Sequence, residues 1–182
     1  MSKCENCIIR QFNALRALRK EELKRISDTK ETRIFKKGET IFDEGENLNG
    51  VFCVKSGISK LSKLSPNGKD QIVKLASKGE VLGQRSVIVK EITNLSAIAL
   101  EDMDVCFIPK DHIIDSLDKS PEFTKEILRY MAHELKEADN VIVNMSQKNV
   151  KQRTAEAILY IKNNFGEDNE GFLSLIMDQT LF

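Results

Sequence analysis

The sequence predicts an α+β fold, a body of short antiparallel strands followed by a long α-helix, and three observations predict it. Glycines (Gly38, Gly45, Gly57, Gly68, Gly79 and Gly83) punctuate short apolar runs between residues 32 and 108. From Gly45 to Gly79 they recur every eleven or twelve residues, the rhythm of a sandwich or barrel of antiparallel strands. After Ser120-Pro121 the apolar residues fall three and four apart in alternation, which is helical spacing.

The elements follow in chain order. Residues 14–27, "ALRALRKEELKRIS", put Leu15, Leu18, Leu23 and Ile26 on one side of a helix with charges elsewhere. "VFCVKSG" and "DQIVKL" read as strands. "SPNGKD" between two apolar runs predicts a hairpin turn, with Asn-Gly supplying positive φ. "ISKLSKL" carries leucines three apart and is a strand by context alone. Ser120 is placed to cap a helix that opens on Pro121, whose missing donor costs nothing there.

Along that helix Leu128, Met131, Leu135, Ala138, Ile142 and Met145 form a heptad seam flanked by Glu134, Lys136, Glu137 and Asp139. A narrow apolar stripe between charges suits a two-stranded coil better than a core-facing helix, so a homodimer is expected. A further helix, "VKQRTAEAILYIKNNF", aligns Val150, Thr154, Ala157, Ile158, Ile161 and Phe165, with Gly166 as its C-cap.

Composition bounds the function. With 182 residues and 41% hydrophobic content, the chain can bury one sizeable core and a smaller second one. Lys and Arg balance Asp and Glu at 28 each, against a stand-alone nucleic-acid binder but not against a local basic face. No run of eighteen apolar residues exists, and "MSKCENCIIR" lacks the apolar core of a signal peptide, so no membrane span and a cytoplasmic location are expected. Four cysteines in that compartment point to metal or redox chemistry rather than crosslinks. His112 and His133 are expected to be solvent-exposed helix residues.

This order of parts resembles the CRP/FNR family of bacterial transcription regulators. The matching stretches are "KKGETIFDEGENLNGVFCVKSGISKLSKLSPNGKDQIVKL", "GEVLGQRS", "LEDMDVCFIPKD" and "VKQRTAEAILYIKNNFG", covering roughly residues 15–173. The resemblance implies a cyclic-nucleotide-binding-like jelly-roll (a double-stranded β-helix) and a dimerisation helix. The expected division is an N-terminal tail and helix at 1–28, a sensor at 29–119, the dimerisation helix at 120–149 and the start of a DNA-binding domain at 150–182. Family members continue into a winged helix-turn-helix that reads the major groove. Here "GFLSL", expected as a strand, is followed by seven residues, too few for two helices and a turn, so the DNA-reading half is expected to be missing. The apolar face of the 150–165 helix would then be left exposed or need substitute cover.

By the same resemblance, the effector pocket would involve Gly83, Gln84, Arg85, Ser86, Asn94 and Leu95. Gln84 stands where relatives carry a ribose-binding glutamate. Asn94 and Leu95 stand where an arginine and a hydroxyl residue would hold a cyclic phosphate. Losing that bidentate charge contact argues against cyclic AMP, and the effector is unassigned. In the oxygen-sensing branch of the family a [4Fe-4S] cluster is held by three N-terminal cysteines and a distant one. Cys4, Cys7 and Cys106 match three of these ligands, whereas the third N-terminal position is Asn13. A cubane needs four thiolates. Alternation along "GVFCVKSG" puts Cys53 on the face of Lys55 and so outward, as it puts Cys106 with Asp104. Nothing in the sequence brings Cys53 to the tail. Tail thiols and small strand residues are therefore the favoured reading over an iron–sulfur cluster.

The function expected is that of a CRP/FNR-type DNA-binding transcription regulator, here its sensing and dimerisation part. The alternative is a stand-alone sensor or dominant-negative partner that pairs with full-length paralogues. A metal-dependent enzyme of the cupin type is rejected, because no histidine lies between residues 32 and 108.

Overall fold

The computed structural model describes residues 4–173. The chain divides into two compact units, Met1–Leu128 and Arg129–Phe182. The first opens with three short 3₁₀ turns, Cys4–Asn6, Ile8–Phe12 and Ala14–Ala17, and then α1 (Lys20–Thr29). Eight strands follow: β1 (Glu31–Phe35), β2 (Thr40–Phe42), β3 (Gly50–Ser56), β4 (Ser59–Leu64), β5 (Asp70–Ala76), β6 (Val81–Leu82), β7 (Ser96–Ala99) and β8 (Met103–Pro109). A short helix α2 (Gln84–Val89) lies between β6 and β7, and α3 (Lys110–Lys119) follows β8. The helix α4 (Pro121–Gln147) begins in the first unit and continues into the second, which also holds α5 (Val150–Phe165).

The strands form two four-stranded antiparallel sheets, ordered β1-β8-β3-β6 and β2-β7-β4-β5. This is the predicted antiparallel jelly-roll. Its core holds Val51, Val54, Ala97, Met103, Val105 and Ile108. Closely packed β-branched residues dominate it, as a two-sheet core requires.

The local signals hold in detail. Within the β4–β5 hairpin the Ser65 N–H donates to the Lys69 carbonyl at 2.9 Å, and Gly68 takes φ 78°. Asn67 adds no positive φ; its Oδ1 accepts from the Lys69 N–H at 3.1 Å. The three-residue leucine spacing of "ISKLSKL" has a cause, a register shift between Leu61 and Ser62 that interrupts the two-residue alternation. The Ser120 hydroxyl accepts the Phe123 N–H at 3.4 Å as α4 begins at Pro121. α5 opens on a capping box in which Asn149 and Gln152 exchange bonds of 3.0 and 3.1 Å, and ends at Gly166.

Two expectations are corrected. The helix predicted over 14–27 is broken: a 3₁₀ turn ends at Ala17, Leu18 is extended, and α1 starts at Lys20. The Glu22 carboxylate accepts the Arg19 N–H at 2.9 Å, a cap that starts a new helix. Leu15, Leu18, Leu23 and Ile26 are nevertheless all buried, so the apolar set was right and its continuity was not.

The second correction concerns Cys53 and Cys106. Both were expected outward, yet they are only 5% and 7% exposed. Five consecutive residues of β3, from Gly50 to Val54, are buried, so both faces of this strand are covered. One face meets the opposite sheet. Over the other lies the N-terminal segment: Asn13 touches Cys53, and α1 packs on β8. A strand covered on both sides does not obey an in–out alternation. The end of the chain, including the last two residues of the stretch expected as a strand, lies outside the described residues. Before that boundary Glu167 bridges Leu173 antiparallel.

Gly57 (φ +88) joins β3 to β4, where a Cβ would meet Met103 Cγ at 2.6 Å and the Asp102 carbonyl oxygen at 2.7 Å. Gly68 is equally left-handed but open around its Cα. Gly57→Ala is therefore expected to lower the thermal midpoint well beyond Gly68→Ala, which carries only the backbone cost of about 1 kcal/mol. Circular dichroism melts of the two variants check this.

Candidate functional site

Three regions hold the residues that the sequence singles out. The first is the loop region around α2. Gly83 caps α2 with φ 79°, the left-handed region that favours glycine, and a Cβ there would come within 2.5 Å of Leu48 Cδ1. Gln84, Arg85 and Ser86 form the first turn of α2; Arg85 is exposed and Ser86 buried. Asn94 and Leu95 sit just before β7, with Asn94 exposed and Leu95 buried.

Beside Asn94 there is a cation, though not an arginine. Lys63 Nζ donates to the Asn94 carbonyl at 3.2 Å and to Glu44 Oε1 at 2.7 Å. That hydrogen bond holds the Glu44 carboxyl below its ordinary range, with the Leu64 N–H adding to the effect and burial opposing it. The Thr93 hydroxyl donates to the Asp43 carbonyl at 2.6 Å and accepts the Glu46 N–H at 3.2 Å, which ties the 43–46 turn to this loop. The charges here are thus already paired within the chain. An anion would have to compete with Glu44 for Lys63.

The second region holds the cysteines. Cys53 and Cys106 are direct partners across β3 and β8. Cys4 and Cys7 bracket the first 3₁₀ turn, the Cys7 N–H donating to the Cys4 carbonyl at 3.2 Å. The Cys4 N–H donates to Ser27 Oγ of α1 at 3.2 Å. Asn13 docks the segment further on: its Nδ2 donates to the Gly79 carbonyl at 2.9 Å and lies 3.5 Å from Cys53 Sγ. Its Oδ1 accepts the Leu15 N–H at 3.0 Å.

Burial pushes the Cys53 thiol up to about 12; the thiols of Cys106, Cys7 and Cys4 add to this, and the Asn13 amide opposes it. Cys106 is raised as well, by burial first and by Cys4 and Cys7, while Lys30 and Lys55 pull it down. Lys55 pairs with Asp104. All four cysteines are free thiols. Among the described residues no three ligating side chains stand close enough together to hold a metal ion.

The third region is α4. Its N-terminal turns bury Phe123 and Ile127. The predicted seam lies bare along the rest: Leu128 is 63% exposed, Leu135 65%, Ile142 65% and Met145 51%, with Ala138 exposed and Met131 half-buried. The α5 face is mixed. Ile161 is buried and Phe165 half-buried, while Val150 and Ile158 are exposed.

A family profile for the cyclic nucleotide-binding domain matches residues 32–120. The anaerobic regulatory protein of Haemophilus influenzae is 30% identical over 156 residues, covering 85% of this chain and 60% of that protein. Electron transport regulator A of Shewanella oneidensis is 31% identical over 171 residues, 93% of this chain and 67% of its own length. The chain belongs to the CRP/FNR family. A solved CRP/FNR-family transcriptional regulator from Eubacterium rectale superposes with a TM-score of 0.74 over 85% of this chain and 72% of that one, at 21% identity. That likeness concerns the fold. The chain spans about three-fifths to two-thirds of the length of the curated relatives it matches. Those relatives are named as regulators, not enzymes.

Cys53, Cys106 and His112 lie elsewhere than the sequence suggested, and Asn13, Lys63 and Glu44 have roles it did not signal. Cys53 is not outward but buried opposite Cys106, with Asn13 against it. The docking role of Asn13 and the Lys63–Glu44 pair carried no sequence signal, since each depends on segments far apart in the chain. His133 is exposed as expected, but His112 is half-buried, its Nε2 2.6 Å from Thr29 Oγ1.

Burial, with Arg25 second, lowers the His112 pKa from its ordinary 6.5. Folding therefore favours the neutral ring. The stability this supplies is present above about pH 7 and is lost as the pH falls through the ordinary value and then the lowered one. Urea unfolding followed from pH 7 to pH 5 is expected to lose stability on acidification, with a shallower loss in His112→Gln.

Proposed function

We propose that this chain is the sensing and dimerisation part of a CRP/FNR-type transcription regulator acting in the cytoplasm. Two copies pair along α4, and the jelly-roll of each biases what the pair carries. The bare seam from Leu128 to Met145 is the observation that supports this reading. Fully burying one Leu, Ile or Met side chain contributes about 1.5–3 kcal/mol, whereas an exposed ion pair contributes about 0–1 kcal/mol. A six-residue seam therefore dominates whatever the charged flanks add. In this reading DNA is recognised by a helix-turn-helix following α5 in the full-length regulator, one recognition helix per half-site.

The effector is something other than a cyclic nucleotide. Leu95 is apolar and buried where a hydroxyl would be needed, and Lys63, a cation beside Asn94, is held by Glu44. Losing a charge-assisted phosphate contact forfeits about 1.5–3 kcal/mol.

Sedimentation velocity at micromolar concentration tests the pairing. The unaltered chain is expected as a dimer and Leu135→Glu as a monomer, because a carboxylate at the seam is buried without a partner. A monomeric unaltered chain, or a Leu135→Glu variant that sediments unchanged, overturns it.

A further inference from the structure

The iron–sulfur cluster implied by the resemblance to the oxygen-sensing branch needs four thiolates, and the residues of this chain do not fit it. The third N-terminal ligand position is Asn13, a side chain without a thiol. Both ends of its amide are already committed: Nδ2 donates to the Gly79 carbonyl at 2.9 Å, and Oδ1 accepts the Leu15 N–H at 3.0 Å. The two strand cysteines, Cys53 and Cys106, are buried opposite each other. Among the described residues no three ligating side chains gather within reach of one ion.

The N-terminal segment is nevertheless fastened on two sides. Towards the sheet, Ile9, Leu15 and Leu18 are buried, and Phe12 lies so close over Gly79 that a Cβ there would stand 2.5 Å from Phe12 Cβ. Towards α4, Arg16 donates through Nε and Nη2 to Glu126 Oε2 at 3.2 and 2.6 Å. Arg19 Nη2 lies 3.9 Å from Glu122 Oε2. Glu122 and Glu126 are four residues apart and share one face of α4. Leu128, the first seam residue, comes two residues after Glu126 and points to the opposite side of the helix. The clasp therefore holds α4 from behind its seam. Burial of three large apolar side chains dominates the seat, and the exposed ion pairs decide which part of α4 it holds.

We propose that Asn13 is a metal-free latch: hydrogen bonds at this position do the fastening that a metal-bound thiolate would do, so residues 13–19 hold the start of α4 and pairing proceeds independently of iron and oxygen. Asn13 is a positioning residue, acting on α4 through Arg16 and Arg19. It runs against the cluster that the resemblance implies. Its consequence for pairing rests on the reading of α4 as the dimer helix, whereas the seating of the segment stands on the first unit alone.

The full chain tests this in two arms, one purified without oxygen and given ferrous iron and sulfide, the other purified in air with a chelator. Visible absorption and sedimentation equilibrium read both. A colourless protein with the same dimer constant in the two arms is expected. A visible chromophore, or a dimer constant that differs between the arms, overturns the proposal. Asn13→Asp keeps an oxygen for the Leu15 N–H and sets another oxygen, in place of a donor, against the Gly79 carbonyl. In that variant, alkylation of Cys53 by iodoacetamide, mapped by peptide mass, is expected to quicken about tenfold. Hydrogen exchange is expected to quicken in residues 14–19 and 121–127 and to stay unchanged in the β4–β5 hairpin. Unchanged alkylation, either stretch exchanging as before, or faster exchange that includes the hairpin overturns the latch. Should Asn13→Asp fail to fold by circular dichroism, Arg16→Ala decides instead. Faster exchange at 121–127 with Cys53 still slow to alkylate supports the proposal, and unchanged exchange there overturns it. A chain that is monomeric in both arms defeats the pairing reading, and the exchange and alkylation results then decide the latch by themselves.

Discussion

The antiparallel pairing of β3 with β8 is the constraint on which the first unit depends. It joins the two longest strands of its sheet, places Val51 against Ile108 and Val54 against Val105, and sets Cys53 opposite Cys106. Both strands are apolar nearly throughout, and β3 is buried on both faces. One face completes the two-sheet core. The other has to be covered, and the N-terminal turns with α1 do that. The docking of the tail, the high pKa of Cys53 and the position of Asn13 all follow from that second covering.

How far the sequence could be read depended on the range of the interaction that decides each feature. The Asn-Gly turn, the Ser120 cap and the Gly166 end of α5 are decided within about four residues, so they were legible. The α4 seam was legible too, because an exposed heptad is a periodic pattern. The break at Leu18 was harder: the apolar spacing persists through it, and only the Glu22 bond to the Arg19 N–H marks the new start.

The cysteine region was illegible for a physical reason. In–out alternation assumes that one face of a strand meets solvent. β3 violates this because a segment some forty residues upstream lies on it, Asn13 reaching Cys53 across a separation of 40 and Gly79 across 66. Nothing in "GVFCVKSG" itself signals that cover. The Lys63–Glu44 pair has the same origin, because a cation on β4 answers a carboxylate on the turn after β2. Reading the loop before β7 alone leaves the charge balance of that region incomplete.

The long reach of Asn13 also bears on the order in which the molecule is assembled. A ribosome delivers the N-terminal turns first, yet the surface that receives them needs Gly79 and the strand carrying Cys106, both far downstream. Until that strand has emerged and zipped onto β3, residues 4–18 have no seat, and bringing distant segments together is the entropically slow part of folding. The earliest-made stretch of the chain is thus among the last to be put in place.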